Sequence, residues 1–214
     1  MSARENILGR IRTSLRREAG DGAAALVRAH LSAHAISPRP PIAGDLLARF
    51  REKALALSTS ISEAADWQDV PAVAAAYLSA NKLPMNAVCW KALGDLDWAR
   101  DGVSMQARPA RESDLVGVTE AFCAIAETGT LMTLSGAHTP PVTSLLPETH
   151  IAVVRVSQIV PSMEEAWQRL RETPDYPPRA VNFISGPSRT ADIEQTLTFG
   201  AHGPYRVHVI LVTA

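Results

Sequence analysis

Near-continuous apolar runs mark the second half of the chain: "NAVCW" (86–90), "GVTEAFCAIAETGTLMTLSG" (117–136), "HIAVVRV" (150–156), "AVNFIS" (180–185) and "RVHVILV" (206–212). Short runs rich in Val, Ile and Ala, without polar alternation, suit strands covered on both faces, as in parallel sheets. Helical spacing appears between them over "SMEEAWQRLRE" (162–172) and again from Asp192, where Gln195 follows at capping-box distance and Gly-Ala-His-Gly-Pro closes the pattern. Upstream, Leu46, Leu47, Phe50, Ala54, Leu55 and Leu57 predict a helix capped by Asp45, and "DVPAVAAAYLSANKLP" predicts a second that ends by Pro84. On this reading two helices precede the first strong strand. Alternating strands and helices then predict an α/β domain of three layers, α/β/α, around a mostly parallel sheet with right-handed crossovers.

The first segment has a different character. Ile7, Leu8, Ile11 and Leu15 fall at helical spacing among Arg4, Arg10, Arg12, Arg16 and Arg17, giving an amphipathic basic helix that Gly20 and Gly22 would end. Such a stripe packs on a neighbour more often than it serves as a targeting sequence or an acidic-partner contact. Residues 23–36 are Ala-rich, and Pro38, Pro40 and Pro41 then exclude helix and read as an extended connector. The predicted organisation is an N-terminal helical arm over 1–36 and an α/β domain over 37–214.

Composition narrows the function. With 46% hydrophobic and 20% charged residues and a formal net charge of -1, the chain suits a globular domain with no general attraction to nucleic acid. No apolar stretch reaches the ~18 residues a membrane span needs, no signal-peptide core follows Met1, and a cytoplasmic setting is expected. Cys89 and Cys123 are the two cysteines, without CxxC spacing, so the chain alone does not ligate a four-cysteine iron-sulfur cluster or a structural zinc.

Candidate chemistry gathers in two loops. In "FISGPSRTADIE" a strand ending at Ser185 meets a Gly-Pro turn before the predicted helix. Ser185, Ser188, Arg189 and Thr190 supply donors there for a carboxylate or phosphate, at the carboxyl edge where α/β sheets bind ligands. A well-capped turn explains Gly186, Pro187 and Asp192 equally well but leaves the arginine and the surplus hydroxyls over. In "AIAETGTLM", Glu127 interrupts an apolar run and is followed by Thr128-Gly129-Thr130. It reads either as a functional carboxylate or as part of a hairpin that Gly129 turns. His138, His150 and His202 form no HxxxH or HxH pair, so no metal site is predicted; His202, between glycines, is a candidate acid, base or ligand. No GxSxG, GxxxxGK[ST] or GxGxxG motif occurs.

Four blocks, "AETGTLM" (126–132), "LLPETHIAVVRVSQIVPSMEEA" (145–166), "ISGPSRTADIE" (184–194) and "GAHGPYRVHVILV" (200–212), together resemble the lactate utilisation protein C family, the LUD domain. The resemblance covers roughly the last hundred residues. It implies a fold similar to ribose-5-phosphate isomerases and coenzyme A transferases. It also implies a bacterial cytoplasmic component that works with iron-sulfur partner subunits in oxidising L-lactate to pyruvate, the clusters sitting on the partners and no cofactor on this chain. It assigns no catalytic residue position by position; Glu127, Thr128, Ser185, Ser188, Arg189, Thr190 and His202 are where its motifs fall. Three functions follow as expectations: an accessory or substrate-handling subunit holding a small carboxylate on Arg189, a stand-alone enzyme on a sugar phosphate or acyl-coenzyme A with Glu127 as base or nucleophile, or a non-catalytic scaffold. Whether the chain is itself an enzyme stays open at this level.

Overall fold

The computed structural model describes residues 2–16, 22–33, 38, 41–42, 44–174, 176–190, 198–200 and 202–214. The chain divides into two compact units, Met1–Pro40 and Pro41–Ala214. The first holds α1 (Ala3–Ser14) and α2 (Ala23–Ala33). α1 starts in a capping box: Ser2 Oγ accepts from the Glu5 N–H, and the Glu5 carboxylate accepts from the Ser2 N–H at 2.6 Å. It ends at Leu15, followed by Arg16 at φ 52, ahead of the expected stop at Gly20, which lies outside the described residues.

The second unit runs α3 (Leu46–Ala56), β1 (Ser60–Ala64), α4 (Val70–Ala80), β2 (Asn86–Cys89), β3 (Ser104–Ala107), β4 (Val116–Glu120), β5 (Cys123–Ile125), β6 (Thr130–Leu134), α5 (Val142–Leu145), β7 (Thr149–Arg155), β8 (Ile159–Val160), α6 (Met163–Arg171), β9 (Val181–Ile184), β10 (Arg189–Thr190), β11 (Thr198–Phe199) and β12 (Arg206–Val212). Six strands form one sheet in the order β1-β12-β7-β4-β2-β3, every neighbouring pair parallel. The two seven-residue strands β7 and β12 are interior strands, and the unbroken apolar runs found there are what double-sided burial demands. Ile151, Val153, Ile210 and Val212 pack toward α4, while Ala152, Val154, Val209 and Leu211 pack toward Phe50 and Ala54 of α3. Each of the Val, Ile and Leu side chains among them contributes about 1.5–3 kcal/mol through burial.

A second sheet, ordered β8-β5-β6-β9, lies on the α3 side. Its β5–β6 and β6–β9 pairs are antiparallel. Alternation sends Ala124, Ala126 and Leu131 into the central core, and Cys123, Ile125 and Met132 outward onto Ala166 and Leu170 of α6. The structure is therefore α/β, with a parallel sheet flanked by helices.

Several expectations are corrected. The run 117–136 is three strands in two sheets. Strands β1 and β3, absent from the sequence reading, are the two edges of the main sheet, where one neighbour and partial exposure permit polar residues. β9 belongs to the second sheet rather than the parallel one. The helix expected from Asp192 to Gly200 fails at its end, because Thr198–Phe199 pairs antiparallel with Arg189–Thr190, as a β-branched and an aromatic residue favour. Asp192 and Gln195 lie outside the described residues.

Candidate functional site

Two glycine-containing turns of the sequence close on one feature, the C-terminal end of α3. Gly129 turns the chain between β5 and β6 at φ +67, and a Cβ there would stand 2.4 Å from the Ala54 nitrogen. Gly186 follows β9 at φ +80, and its Cβ would stand 2.4 Å from the Leu57 carbonyl oxygen. Both positions need glycine for conformation and for space. The two turns are joined by hydroxyls: Thr128 Oγ1 donates to Thr130 Oγ1 at 2.8 Å, and Thr130 Oγ1 lies 2.7 Å from Ser185 Oγ.

Arg189 reaches the same helix end. Its Nη2 donates to the Leu57 carbonyl at 2.9 Å and to Ser58 Oγ at 2.5 Å. A cation against the last carbonyls of a helix is favoured by the dipole as well as by the bonds. Arg189→Ala should therefore lower unfolding stability by about 1 kcal/mol. A urea titration with an unshifted midpoint would refute that role.

The loop 185–190 was expected at the carboxyl edge of the parallel sheet. The structure puts it at the amino edge instead. Gly186 rests on Leu57, just before β1, and the Ser188 N–H donates to the Pro204 carbonyl at 2.9 Å, just before β12. The Gly200 N–H returns a bond to the Ser188 carbonyl at 3.0 Å, so "GPSR" and "GAHGP" are stitched together. The reason for the difference is sheet membership: β9 runs antiparallel to β6 and delivers its loop to the opposite edge from the one a parallel strand would.

Two cavities open at this amino edge on either side of Tyr205 and Arg206. One, of about 270 Å³, is lined by Ser58, Ser60, Tyr77, Asn81, Pro187 and Arg206 among others. The other, of about 430 Å³, is lined by Leu146, Glu148, Gly200, Gly203, Tyr205 and Arg206. Arg206 is the cation common to both, its guanidinium 4.9 Å from the Tyr205 ring centroid and its backbone N–H donating to the Glu148 backbone carbonyl at 2.9 Å. The smaller cavity has a polar floor. Ser60 Oγ lies 2.8 Å from Nδ1 of His208, whose ring stacks on Tyr77 with centroids 3.7 Å apart. Burial holds the His208 pKa down to about 4, so the ring is neutral. Burial also raises the Tyr77 phenol, partly opposed by Ser60 and by the charge of Arg206.

Among the sequence candidates, Pro187 and the backbone around Ser188 wall this region, Arg189 and Ser185 support it, and the backbone of Thr190 pairs with Thr198. Glu127 is half-buried in the β5–β6 turn, Thr128 and His202 are exposed, and none of the three lines either cavity. Arg206, Ser60, Tyr77 and His208 were not singled out from the sequence. The available signal was His208 itself, a lone polar residue inside "RVHVILV". At the carboxyl edge, a cavity of about 230 Å³ is lined by Lys91, Arg108, His138 and Pro140 among others, with Trp90 Nε1 donating to the Pro140 carbonyl at 3.0 Å. His150 is buried, its Nε2 2.8 Å from Thr119 Oγ1, and burial lowers it to about 4. Cys89 and Cys123 are both buried, with thiols pushed up to about 12 and about 11. Cys89 belongs to the core cluster of the main sheet and Cys123 to the one under α6. Among the described residues no group of three or more His, Cys, Asp or Glu is arranged to hold a metal ion, and no helix is long and apolar enough to cross a membrane.

The fold is shared with a DUF162 family protein from Deinococcus radiodurans, at a TM-score of 0.57 and 21% identity over 78% of this chain and 96% of that one. The LUD domain model matches residues 47–212, and the chain belongs to that family. It is similar to Lactate utilization protein C of Exiguobacterium sp., 42% identical over 100 residues, and of Bacillus subtilis, 37% identical over 120 residues. The matches cover 45% and 55% of this chain, and 44% and 50% of those relatives, so the chain spans about half the length of the proteins it matches.

Proposed function

We propose that the chain is a substrate-handling component of bacterial lactate utilisation that binds a small carboxylate at Arg206 in the amino-edge cavity. The reading rests on one observation: a guanidinium and the hydroxyl-bearing residues Ser58, Ser60 and Tyr77 line the same cavity of about 270 Å³, one side of which is Pro187 and Tyr205 to Val207 of the family's sequence blocks. A space just below the ~300–1,000 Å³ of drug-sized sites suits a guest of a few heavy atoms. An arginine fork matches a carboxylate. The names of the relatives supply the lactate connection. Oxidation of L-lactate to pyruvate would take place with cytoplasmic partner subunits whose iron-sulfur clusters accept the two electrons, since the buried thiols here are unsuited to hold a cluster.

In this proposal Arg189 acts at one remove, fixing Ser58 and the Pro187 wall rather than gripping the anion. Calorimetric titration of the full chain with L-lactate tests it. Arg206→Ala should weaken binding roughly tenfold to a hundredfold, the worth of a charge-assisted hydrogen bond, with Arg206→Lys intermediate. Equal affinity in Arg206→Ala, or no heat with the unaltered chain, would remove the proposal.

A further inference from the structure

The carboxyl edge of the main sheet has an opening of its own, which the carboxylate proposal does not use. In the strand order β1-β12-β7-β4-β2-β3, the chain leaving β2 crosses to β3 on one side, and the chain leaving β4 returns as β7 on the other. Connections that diverge in this way leave a crevice beyond the carboxyl ends of the two strands, the usual place for a ligand in an open parallel sheet. The cavity of about 230 Å³ lies beside that point. Its walls are the exit of β2 at Cys89 and Lys91, the exit of β3 at Arg108 and Pro109, and a turn at His138 and Pro140 on the path from β4 to β7.

These walls are tied to one another. The Trp90 N–H donates to the Val118 carbonyl of β4 at 3.2 Å, and the Trp90 indole Nε1 donates to the Pro140 carbonyl at 3.0 Å, so one buried residue joins the exit of β2 to β4 and to the turn. Gly136 and Thr139 bridge across that turn and leave His138 at its tip. Every nitrogen of Arg108 is engaged: Nε donates to Gln106 at 2.8 Å, and Nη1 and Nη2 donate to the two Asp114 oxygens at 2.6 and 2.8 Å. The arginine fork is therefore already filled by a carboxylate and has no bidentate grip left for a second one.

Lys91 and His138 stand in contrast to it. Both are exposed, and neither has a hydrogen-bond or ion-pair partner among the described residues. Among the described residues, those lining the cavity include no carboxylate, and Asp95, near enough to act on the Cys89 thiol, is outside the lining. An ammonium and an imidazole N–H on two separate elements are point donors rather than a planar fork. They match oxygens set tetrahedrally around a small anion, whose charge the lysine offsets. The space is below that of drug-sized sites and suits a guest of a few heavy atoms. We infer that this cavity binds a phosphate group between Lys91 and His138, at a site separate from the carboxylate site proposed at the amino edge.

Calorimetric titration of the full chain with inorganic phosphate tests the inference, at fixed ionic strength so that general screening is constant. Lys91→Ala should weaken binding about tenfold, His138→Ala by a smaller factor, and the double variant should bind too weakly to saturate. Both side chains are exposed, so the urea midpoints should stay in place and a loss of binding is not a loss of fold. Arg206→Ala, which removes the cation of the amino-edge cavities, should bind phosphate as the unaltered chain does. Methyl phosphate held as tightly as the free anion would assign the site to phosphate esters, and methyl phosphate refused would assign it to the free anion; the phosphate site stands in both cases. No phosphate binding by the unaltered chain, an unchanged affinity in the double variant, or loss of phosphate binding in Arg206→Ala would each overturn the inference. Should the double variant not fold, the two single variants decide.

Discussion

Acidification from pH 6.5 to pH 4 is expected to remove about 6 kcal/mol of folding stability, most of what a domain of this size commonly has. The cause is two buried imidazoles. Burial holds His150 and His208 near 4, against an ordinary value of 6.5. In the unfolded chain each ring takes up a proton as the pH falls through 6.5. In the folded protein neither does so until about 4. Their contribution is thus complete above pH 6.5 and is lost as the pH falls toward 4, each ring accounting for about 3 kcal/mol at 1.36 kcal/mol per pH unit. Glu120 works in the opposite sense, since burial raises its pKa and its protonation on acidification relieves a buried charge. Two rings outweigh one half-buried carboxyl. Urea titrations between pH 7 and 4 should show the loss, unfolding at pH 5 should take up close to two protons, and His208→Gln should flatten about half of the slope. A stability unchanged across this window would contradict the buried neutral state of both rings.

These histidines also show what was and was not legible in the sequence. β7 and β12 stood out as unbroken apolar runs because they lie in the interior of a parallel sheet, with a layer on each face. β1 and β3 did not, because an edge strand with one neighbour can be as polar as "SISEA" or "SMQA". The run 117–136 was visible as strand material, yet its division into β4, β5 and β6 was hidden. Both faces of the second sheet are covered, one by the central core and the other by α6, so no polar alternation marks the hairpin. Gly129 was the local clue, and the hairpin reading of Glu127-Thr128-Gly129 is the one its φ of +67 supports.

The site was legible as a set of blocks but not as a place. Glycines, hydroxyls and Arg189 were visible as a cluster in "SGPSRT", and the structure does draw Gly186 and Arg189 toward one end of α3, with Ser188 bonded to the loop before β12. Which sheet edge they reach depends on the pairing of β9 with β6, a non-local choice that no spacing within 180–190 encodes. The same holds for Ser60 and His208, whose contact is made by strand register across 148 positions. Arg206 gains its position at the mouth from being the first residue of β12, next to the sheet's amino edge.

Replacing Gly129 by alanine is expected to destabilise the domain by about 2–5 kcal/mol, because two independent penalties fall on one methyl group. At φ +67 an L-residue is strained by about 1–2 kcal/mol. The added Cβ would also stand 2.4 Å from the Ala54 nitrogen, 2.6 Å from the Lys53 carbonyl carbon and 2.9 Å from the Ala54 Cα. These are backbone atoms of a helix whose Phe50 and Ala54 are fully buried, so they cannot swing aside as a flexible side chain would. Relief requires the β5–β6 turn to lift from α3, which would pull on the Thr130–Ser185 contact and through it on the loop before β10. Gly102 provides the control, with φ +76 and nothing within 4 Å of a Cβ, so that Gly102→Ala carries the conformational penalty alone, about 1 kcal/mol. Gly186→Ala, with its Cβ 2.4 Å from the Leu57 carbonyl, should behave like Gly129→Ala and should in addition weaken the lactate binding proposed above, since Pro187 lines the cavity of about 270 Å³. Equilibrium urea unfolding of the three variants separates the two penalties. If Gly129→Ala loses no more stability than Gly102→Ala, the turn does not rest on α3 as described.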